Sequence, residues 1–574
     1  MPDATAGSLR GRMRSFADVT AHRMARRWAA ALLALPPTLF LIVFYAYPIM
    51  TLFAVSLAPG GQIDPSGFFT LVTNPIYLRI FGFTIGQAAL STAITLALAI
   101  PTAAVMARVD FPGKRLLLSL TTLPFVLPTV VTAAAFSALI GEQGIVNDLL
   151  VSLFNLSDPP IQLERTLILI VIAHVFYNFP LALRLIASFW ANQSPTLDEA
   201  AQVLGIGGWR LWVRVRLPLI RPAVVAAGLL VFIFCFTSFG VIVLLGGARF
   251  ATIEVEIYRQ ATSLFNLPLA AALSIAQIGL MFVLMLVYTR VQRQVIVALR
   301  PQHGAPRSLK KRDRLHLASA LGIIALLLFM PLLALVVRAF TFDADGLTLR
   351  HFIALTTNPR GSVLFTPPLV AVGNSLLFAL VTTCLALLLG TAAAYALHSG
   401  GRLARWIDPL LMLPLATSAV TIGFGYLIAL DEPPLNLRAS IILIPIAHTL
   451  VAMPFVVRSV LPAVRAVPEG LHSAARLLGV SGFRLWQTVD LPLIAPGLTV
   501  GAVFAFTVSM GEFGASLFIA RPDTPTIPIV IYRLLGQPGA TNYGQALALS
   551  VILMGMCALA FVLIERARDL GGEF

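Results

Sequence analysis

The feature that most constrains this chain is a motif that recurs at one fixed offset. Glu199 begins the run EAAQVLGIGGWRLWVRVRLP, and a similar run begins at Ser473, 274 residues later. The same offset pairs His174 with His448 upstream of the motif. Matches that keep one offset over such a length indicate a duplication. The sequence therefore predicts two related halves within a single polypeptide.

The composition predicts that both halves lie in a membrane. Of the 574 residues, 58% are hydrophobic and only 11% are charged, against about 25% charged in soluble domains. Apolar stretches of about 20 residues, enough to cross a bilayer as a helix, recur along the chain. The predicted fold class is an all-α polytopic membrane protein with about twelve transmembrane helices, six in each half. The predicted spans are 28–57, 84–107, 116–139, 166–188, 223–245, 269–288, 317–337, 371–397, 410–430, 440–460, 498–520 and 545–564.

The net charge of +15 has a topological explanation. Its basic residues stand between apolar spans, in the connections that carry the repeated motif and in the link 291–314. Acidic residues dominate the alternate connections. Because cytoplasmic loops carry an excess of Lys and Arg, both motifs and both termini are expected in the cytoplasm. The lipid bilayer is thus an expected partner, and nucleic acid is not.

These boundaries give a predicted domain organisation. The expected order is a cytoplasmic tail 1–27, a first half 28–290 with its motif loop at 194–221, a basic cytoplasmic linker 291–314, a second half 315–566 with its motif loop at 468–495, and a tail 567–574.

Known catalytic and nucleotide-binding patterns are missing from the sequence. The Gly113-Lys114 pair is followed by Arg115 and lacks the upstream glycine and the Ser/Thr of a phosphate-binding loop. There is no H-E-x-x-H motif, and the three cysteines have no metal-ligand spacing. We therefore expect no catalytic residues, no metal site and no cofactor, and any ATP that drives the function of this chain would have to be hydrolysed by a separate partner.

The repeated motif resembles the Glu-Ala-Ala loop of ABC importer permeases. Thr196 and Glu199 have capping-box spacing, so a short helix is expected to start there, and Gly205 is expected to end it. The resemblance implies the type I importer permease fold and a loop that docks on a cytoplasmic ABC ATPase dimer. The residues that it assigns to this coupling are Glu199, Ala200, Ala201, Gly205, Leu217 and Pro218, and, in the second half, Ser473, Ala474, Ala475, Gly479, Leu491 and Pro492. Since Ser473 replaces the glutamate, we expect the first loop to dock more strongly.

A second group of residues is a candidate for the translocation pathway. Glu512 stands inside an apolar span, and its repeat partner is Ser238; each precedes a phenylalanine, Phe513 and Phe239. A carboxylate in a membrane must face protein or water. We therefore expect these four residues to line the pathway. The alternative is that Glu512 makes a structural hydrogen bond between closely packed helices.

Other polar positions leave alternatives open. His174 and His448 are either proton sites or packing residues hydrogen-bonded to a neighbour. The amphipathic segments 252–259 and 526–533 either face a binding protein and gate the pore or are interfacial connectors anchored by Tyr258 and Tyr532.

Within the permease family, the chain most closely resembles the fused, two-half permeases of thiamine and ferric iron import. The resemblance lies in the fusion, in the run from His174 to Pro180, in the run from Thr252 and in the Gly141–Gly144 turn. It implies a permease of the bacterial inner membrane that passes a small solute from an external binding protein to the cytoplasm. Thiamine and ferric iron both remain open. An ion-coupled secondary transporter, which would need no ATPase, is the alternative function.

Overall fold

The protein is almost entirely helical in its computed structural model. The structure describes residues 28, 30–193, 196–247, 249–298, 307–308, 313–343, 346–357, 366–431, 433 and 435–570. The predicted tail 1–27, residues 194–195 of the first motif loop, half of the linker (299–306 and 309–312) and the last four residues of the second tail lie outside this part.

Twelve long helices account for the predicted membrane spans. Within the described part of the chain, eleven helices are long and apolar enough to cross a membrane, or twelve when one bent pair counts as a single span. The prediction of an all-α membrane protein with about twelve spans is confirmed. The helices are α1 (Ala30–Leu57), α2 (Pro75–Arg108), α3 (Thr129–Phe154), α4 (Leu167–Ala191), α5 (Gly208–Phe236), α6 (Leu267–Gln292), α7 (Arg314–Thr341), α8 (Val370–His398), α9 (Ile407–Ala416 with Ala419–Ala429), α10 (Leu443–Ala466), α11 (Gly482–Gly511) and α12 (Ala540–Leu563).

The same three-helix core occurs in both halves. Helix α2 packs on α4 and α5, and α8 packs on α10 and α11 in the same way. Small residues permit the close approach that membrane helices use to gain packing energy. At Gly390 of α8, for example, a Cβ atom would come within 2.7 Å of Val456 on α10. The duplication seen in the sequence is therefore a duplication of structure.

The first helix of each half also crosses to the other half. Helix α1 packs on α6 and on the second part of α9, and α7 packs on α12 and on α3. The Tyr45 hydroxyl lies 2.6 Å from the Thr417 hydroxyl, and Arg338 forms a 2.8 Å ion pair with Asp148. The two halves thus share one core.

Four predicted spans are not continuous helices, and the prediction was wrong at these places. The stretch 223–245 is interrupted after Phe236, and the stretch 498–520 is interrupted after Gly511. The stretch 116–139 divides into Lys114–Leu120, Leu123–Val126 and the start of α3. Leu127 is extended, with ψ 142°, because the residue before a proline is pushed out of the helical region and Pro128 follows. The stretch 410–430 forms α9, whose two parts meet at a 98° bend.

The longer outer loop of the first half contains a helix. Helix α3 is interrupted at Gly141–Gly144, and the chain continues as Ile145–Phe154. Asn147 holds the turn, because its side-chain amide donates to the carbonyl oxygens of Gly141 at 2.7 Å and Ile161 at 2.8 Å. This loop is longer than its counterpart in the second half, near residues 431–438.

Shorter elements connect the spans. The remaining helices include Ser66–Thr73, Thr196–Val203, Phe239–Val241, Ile253–Thr262, Arg350–Ala354, Glu469–Leu477, Ser516–Ile519 and Ile527–Leu535. The two-residue strands β1 (Val109–Asp110) and β2 (Arg307–Ser308) pair in parallel, so part of the linker lies against the end of α2.

Candidate coupling loops and translocation pathway

The two motif loops have the same backbone. The first loop (residues 196–216) contains the helix Thr196–Val203, and the second loop (residues 469–490) contains Glu469–Leu477. Each helix stops at a left-handed glycine, Gly205 with φ +76° and Gly479 with φ +80°, as glycine at a helix C-terminus allows. The predicted helix start and stop of the first loop are confirmed.

Each loop presents an apolar tip to its surroundings. The side chains at three equivalent positions are largely exposed: Val203 at 87%, Leu204 at 78% and Trp209 at 79%, against Leu477 at 89%, Leu478 at 83% and Phe483 at 69%. Large apolar groups exposed together on a polar loop are typical of a protein-binding surface. The sequence motif did not single out these six residues, although they too obey the 274-residue offset.

The predicted coupling residues lie beside these tips. Glu199, Ala200, Ser473 and Ala474 are exposed on the short helices, whereas Ala201 is buried. The Leu-Pro pairs of the motif, Leu217-Pro218 and Leu491-Pro492, lie within α5 and α11, directly after a short π-helical segment. The motif residues thus lie together on two equivalent protruding loops. Their role in coupling to an ATPase stays a prediction.

An ionic network holds the first loop to the membrane helices. Asp198 is 5% exposed and accepts hydrogen bonds from Arg108 at the end of α2 and from Arg216 at 2.9 Å. Burial raises the pKa of Asp198, but the hydrogen bonds and charges of the two arginines outweigh it, so the pKa lies below its ordinary value. Asp198 is therefore ionised at neutral pH and fixes the loop to α2.

The second loop uses an equivalent pair with the charges exchanged. His472 occupies the place of Asp198, Asp490 occupies the place of Arg216, and His472 Nε2 lies 3.0 Å from Asp490 Oδ1. Trp486 Nε1–H donates to the Tyr395 hydroxyl at 3.1 Å and ties the loop to the end of α8. The motif did not reveal these braces. The sequence signal that could have revealed them is an ionisable residue at each of these two positions in both repeats.

Glu512 is fully engaged in hydrogen bonds at the end of α11. Its carboxylate accepts from the backbone N–H of Ala515 at 2.7 Å and of Ser516 at 2.9 Å, and from the Ser516 hydroxyl at 2.7 Å. His448 Nε2 lies 3.3 Å away. Glu512 therefore caps the helix Ser516–Ile519 and links it to α10, which is the structural alternative considered above. A part in the pathway stays a prediction.

The two intramembrane histidines also bond to neighbouring segments. His174 Nδ1 lies 3.1 Å from the Ser91 hydroxyl, and His448 Nδ1 lies 2.7 Å from the Ser509 hydroxyl. Both side chains are buried. Their contacts are those of packing residues that join helices.

Four aromatic rings meet where the two halves touch. We call Phe239, Tyr258, Phe513 and Tyr532 the aromatic cluster. Phe239 and Phe513, two of the predicted pathway residues, stack with ring centroids 5.8 Å apart. Tyr258 lies 5.7 Å from Phe239, and Tyr532 lies 5.4 Å from Phe513. Ser238 directly precedes the helix that begins at Phe239.

Two outer helices bring the tyrosines into the cluster. The segments predicted as amphipathic are the helices Ile253–Thr262 and Ile527–Leu535. Their first N–H groups are anchored alike, that of Ile253 to the Thr84 hydroxyl at 3.1 Å and that of Ile527 to the Ser375 hydroxyl at 2.8 Å. The tyrosines thus pack between the halves, and a role as interfacial anchors stays a prediction.

Comparison with known proteins adds an independent observation. The thiamine transport system permease protein ThiP of Brucella abortus (strain 2308) is 28% identical over 526 residues, which cover 90% of this chain and 92% of that protein. The protein of the same description from Escherichia coli (strain K12) is 26% identical and covers 88% and 91%. A chain from the crystal structure of a bacterial alginate ABC transporter in complex with alginate pentasaccharide-bound periplasmic protein has a TM-score of 0.40 and 19% identity, covering 49% of this chain and 98% of its own.

A family model matches both halves. The model described as binding-protein-dependent transport system inner membrane component matches residues 99–297 and 386–567. The two matches contain both motif loops, the whole of α4, α5, α10 and α11, and the C-terminal parts of α2 and α8. The resemblance noted in the sequence is therefore confirmed, and the chain belongs to the family of binding-protein-dependent transport system inner membrane components, as a permease with two repeated halves in one polypeptide.

Proposed function

We propose that this permease imports a thiamine-type solute at the expense of ATP hydrolysed by a separate cytoplasmic ATPase dimer. An external binding protein delivers the solute, and the chain passes it across the bacterial inner membrane. The thiamine transport permeases that match along nearly the whole chain support this choice. None of the relatives compared above is named for iron, and we do not retain ferric iron as a substrate.

The pair of equivalent loops is the observation that carries the proposal. A subunit that uses a dimeric ATPase needs two similar docking elements related by a pseudo-two-fold axis. The first and second loops supply two short helices with equal turns and equal apolar tips. Because each helix is braced to the membrane core, a movement of the ATPase pair would be passed on as a rigid-body motion. Both loops and both termini would then lie in the cytoplasm.

The aromatic cluster is the proposed closed point of the pathway. Phe239 and Phe513 are only 4% and 3% exposed, and they come from equivalent places in the two halves. Separation of the halves would part these rings and admit solute. Ser238 and Glu512 stand immediately before the two phenylalanines and are proposed to frame the same opening.

Reconstitution tests the proposal. The permease, a cognate ATPase and a cognate binding protein would be placed in proteoliposomes, and uptake of radiolabelled thiamine would be measured with and without internal ATP. We expect uptake only with all three proteins and ATP. Uptake by the permease alone under an ion gradient would instead support the secondary transporter, and ATP-dependent uptake of another solute but not of thiamine would overturn the substrate.

A further inference from the structure

A buried carboxyl group lies at the boundary between the halves. Glu254 is on the outer helix Ile253–Thr262 and is 1% exposed. Its Oε1 accepts a hydrogen bond from Gln277 Nε2 at 2.7 Å. Its Oε2 makes no hydrogen bond to any residue that the structure describes, and neither does Gln277 Oε1. Two adjacent buried oxygen atoms thus lack a partner in this part of the chain: the Gln277 oxygen is an acceptor, and Glu254 Oε2 becomes one when the carboxyl group ionises.

These acceptors lie close to the aromatic cluster. Glu254 and Tyr258 are one turn apart on the same helix, so they share a face. That helix packs against the second part of α9. Ser418, which immediately precedes this part, lowers the pKa of the Glu254 carboxyl through its side chain. Tyr258 contacts Phe518 of the second half at 5.4 Å. The face therefore combines a carboxyl group with aromatic rings, which is the chemistry that binds organic cations.

The second half builds the same helix without this group. At the 274-residue offset, Pro528 stands in place of Glu254 and Val551 in place of Gln277. The helix Ile527–Leu535 nevertheless forms and is anchored in the equivalent way. The fold itself therefore does not require a carboxyl and an amide at these two positions.

The energetics also favour an external partner. A buried acceptor without a donor costs about 1–3 kcal/mol. Burial raises the pKa of Glu254 to about 8, against the lowering effect of Ser418 and Gln277. At neutral pH the group is therefore neutral, and its second oxygen carries a proton that has no acceptor among the described residues. An ionised carboxylate at this place becomes favourable only with a cation beside it.

We propose that Glu254 and Gln277, together with the aromatic cluster, form a binding site for an organic cation that carries hydrogen-bond donors, occupied when the halves separate. The carboxylate pairs with the positive charge, the Gln277 oxygen accepts a donor, and the rings stack on a planar heterocycle. This inference rests on the proposed function and deepens it, because it assigns the recognition of a thiamine-type cation to the first half.

The test uses the complete transporter in proteoliposomes with thiamine as the probe. Glu254→Gln keeps the size of the side chain and mimics its neutral form, so a purely structural role predicts unchanged uptake. We expect the KM for thiamine delivered by its binding protein to rise roughly tenfold or more, while ATP hydrolysis stimulated by the loaded binding protein persists. The matched control is Glu256→Gln on the same helix, since Glu256 is already paired with Arg259 and Gln260.

A neutral isostere of thiamine, with an uncharged ring in place of the thiazolium, gives a second readout. The wild type and the variants receive solute from the same binding protein. A change in the ratio of thiamine uptake to isostere uptake is therefore caused by the permease. We expect this ratio to fall in Glu254→Gln, and Gln277→Leu provides an independent variant should the first one fail to assemble. Equal KM and equal ratio in wild type and variants would overturn the inference. Absence of thiamine uptake by the wild type would instead refute the proposed function.

Discussion

Single residues show how equivalent places in the two halves reach the same result with different chemistry. The brace of the first loop joins Asp198 to Arg216, and that of the second joins His472 to Asp490. The position of the acid and the position of the base are exchanged. A carboxylate accepts a hydrogen bond from a nitrogen donor at either position, so a duplicated structure tolerates this exchange as long as both members change.

Removal of one member should weaken the first loop. Asp198→Asn leaves Arg108 and Arg216 without their shared carboxylate, and we expect a loss of about 1–3 kcal/mol in local stability. The apparent melting temperature of the purified permease in detergent measures this loss. Gln202→Ala, at an exposed position of the same short helix, is the matched control and should melt like the wild type.

The pH dependence of that difference follows from the lowered pKa of Asp198. A carboxyl group with a lowered pKa contributes stability above its ordinary value of 3.8, and the contribution is lost as pH falls through the pKa of the folded protein. The gap in melting temperature between wild type and Asp198→Asn should be constant from pH 5 to about pH 8 and shrink below about pH 4. A gap that widened on acidification would contradict this assignment.

At the scale of elements, the loops are short helices carried by long ones. Their exposed surface combines the motif residues with an apolar tip, and their buried surface is braced to α2 or α8. A docking element of this kind keeps its shape when the partner is absent. Changes to its exposed face should therefore alter binding of the ATPase without altering the fold.

The two loops are not equal in the motif itself. Glu199 is exposed on the first helix, whereas Ser473 donates a hydrogen bond to its own helix backbone at 3.3 Å. We expect Glu199→Ala to reduce the amount of ATPase that co-purifies with the permease, and Ser473→Ala to have little effect. Equal losses from the two substitutions would show that docking is symmetric.

The apolar tips should matter in both loops. We expect Leu204→Ser and Leu478→Ser each to lower ATPase co-purification several-fold, because each removes exposed apolar area that a partner would bury. Melting temperatures should not fall, since neither side chain packs in the fold. Leu153 provides the control, because it is exposed on the second part of α3, Ile145–Phe154. Its replacement by serine should leave ATPase binding unchanged.

At the scale of the whole molecule, transport requires two interlocked halves to move against each other. Exchange of α1 and α7 between the halves ties them together, while the aromatic cluster meets at the centre through ring contacts alone. A contact between two aromatic rings stabilises a structure by only about 0.5–1.5 kcal/mol in addition to the effect of the apolar area that it buries. The cluster can thus open while the exchanged helices hold the assembly.

A covalent link across the cluster should stop transport. In a Cys384→Ser background, which removes the exposed native cysteine, Phe239→Cys with Phe513→Cys places two thiols where rings now stack at 5.8 Å. We expect a short bifunctional thiol reagent to abolish thiamine uptake and a reductant to restore it. Each single variant, treated in the same way, is the control. Undiminished uptake by the cross-linked protein would show that the aromatic cluster is not part of the pathway.

The sequence by itself determined the class of the molecule, its duplication and the position of its two motif loops. These features are local or periodic: apolar length defines a membrane helix, and glycine at Gly205 and Gly479 defines where a helix ends. The division of the span 116–139 does not follow from apolar length, which predicts one continuous helix. Pro124 and Pro128 are the residues in the sequence that indicate the division.

Only the tertiary structure decided which residues meet. The exchange of α1 and α7, the tie of the second loop to Tyr395, the contact of Glu512 with His448 and the aromatic cluster all join residues far apart in the chain. The 274-residue repeat relates equivalent positions such as Phe239 and Phe513, but it does not show that they touch, because a side chain in a helical bundle finds its partners through the packing of several helices at once.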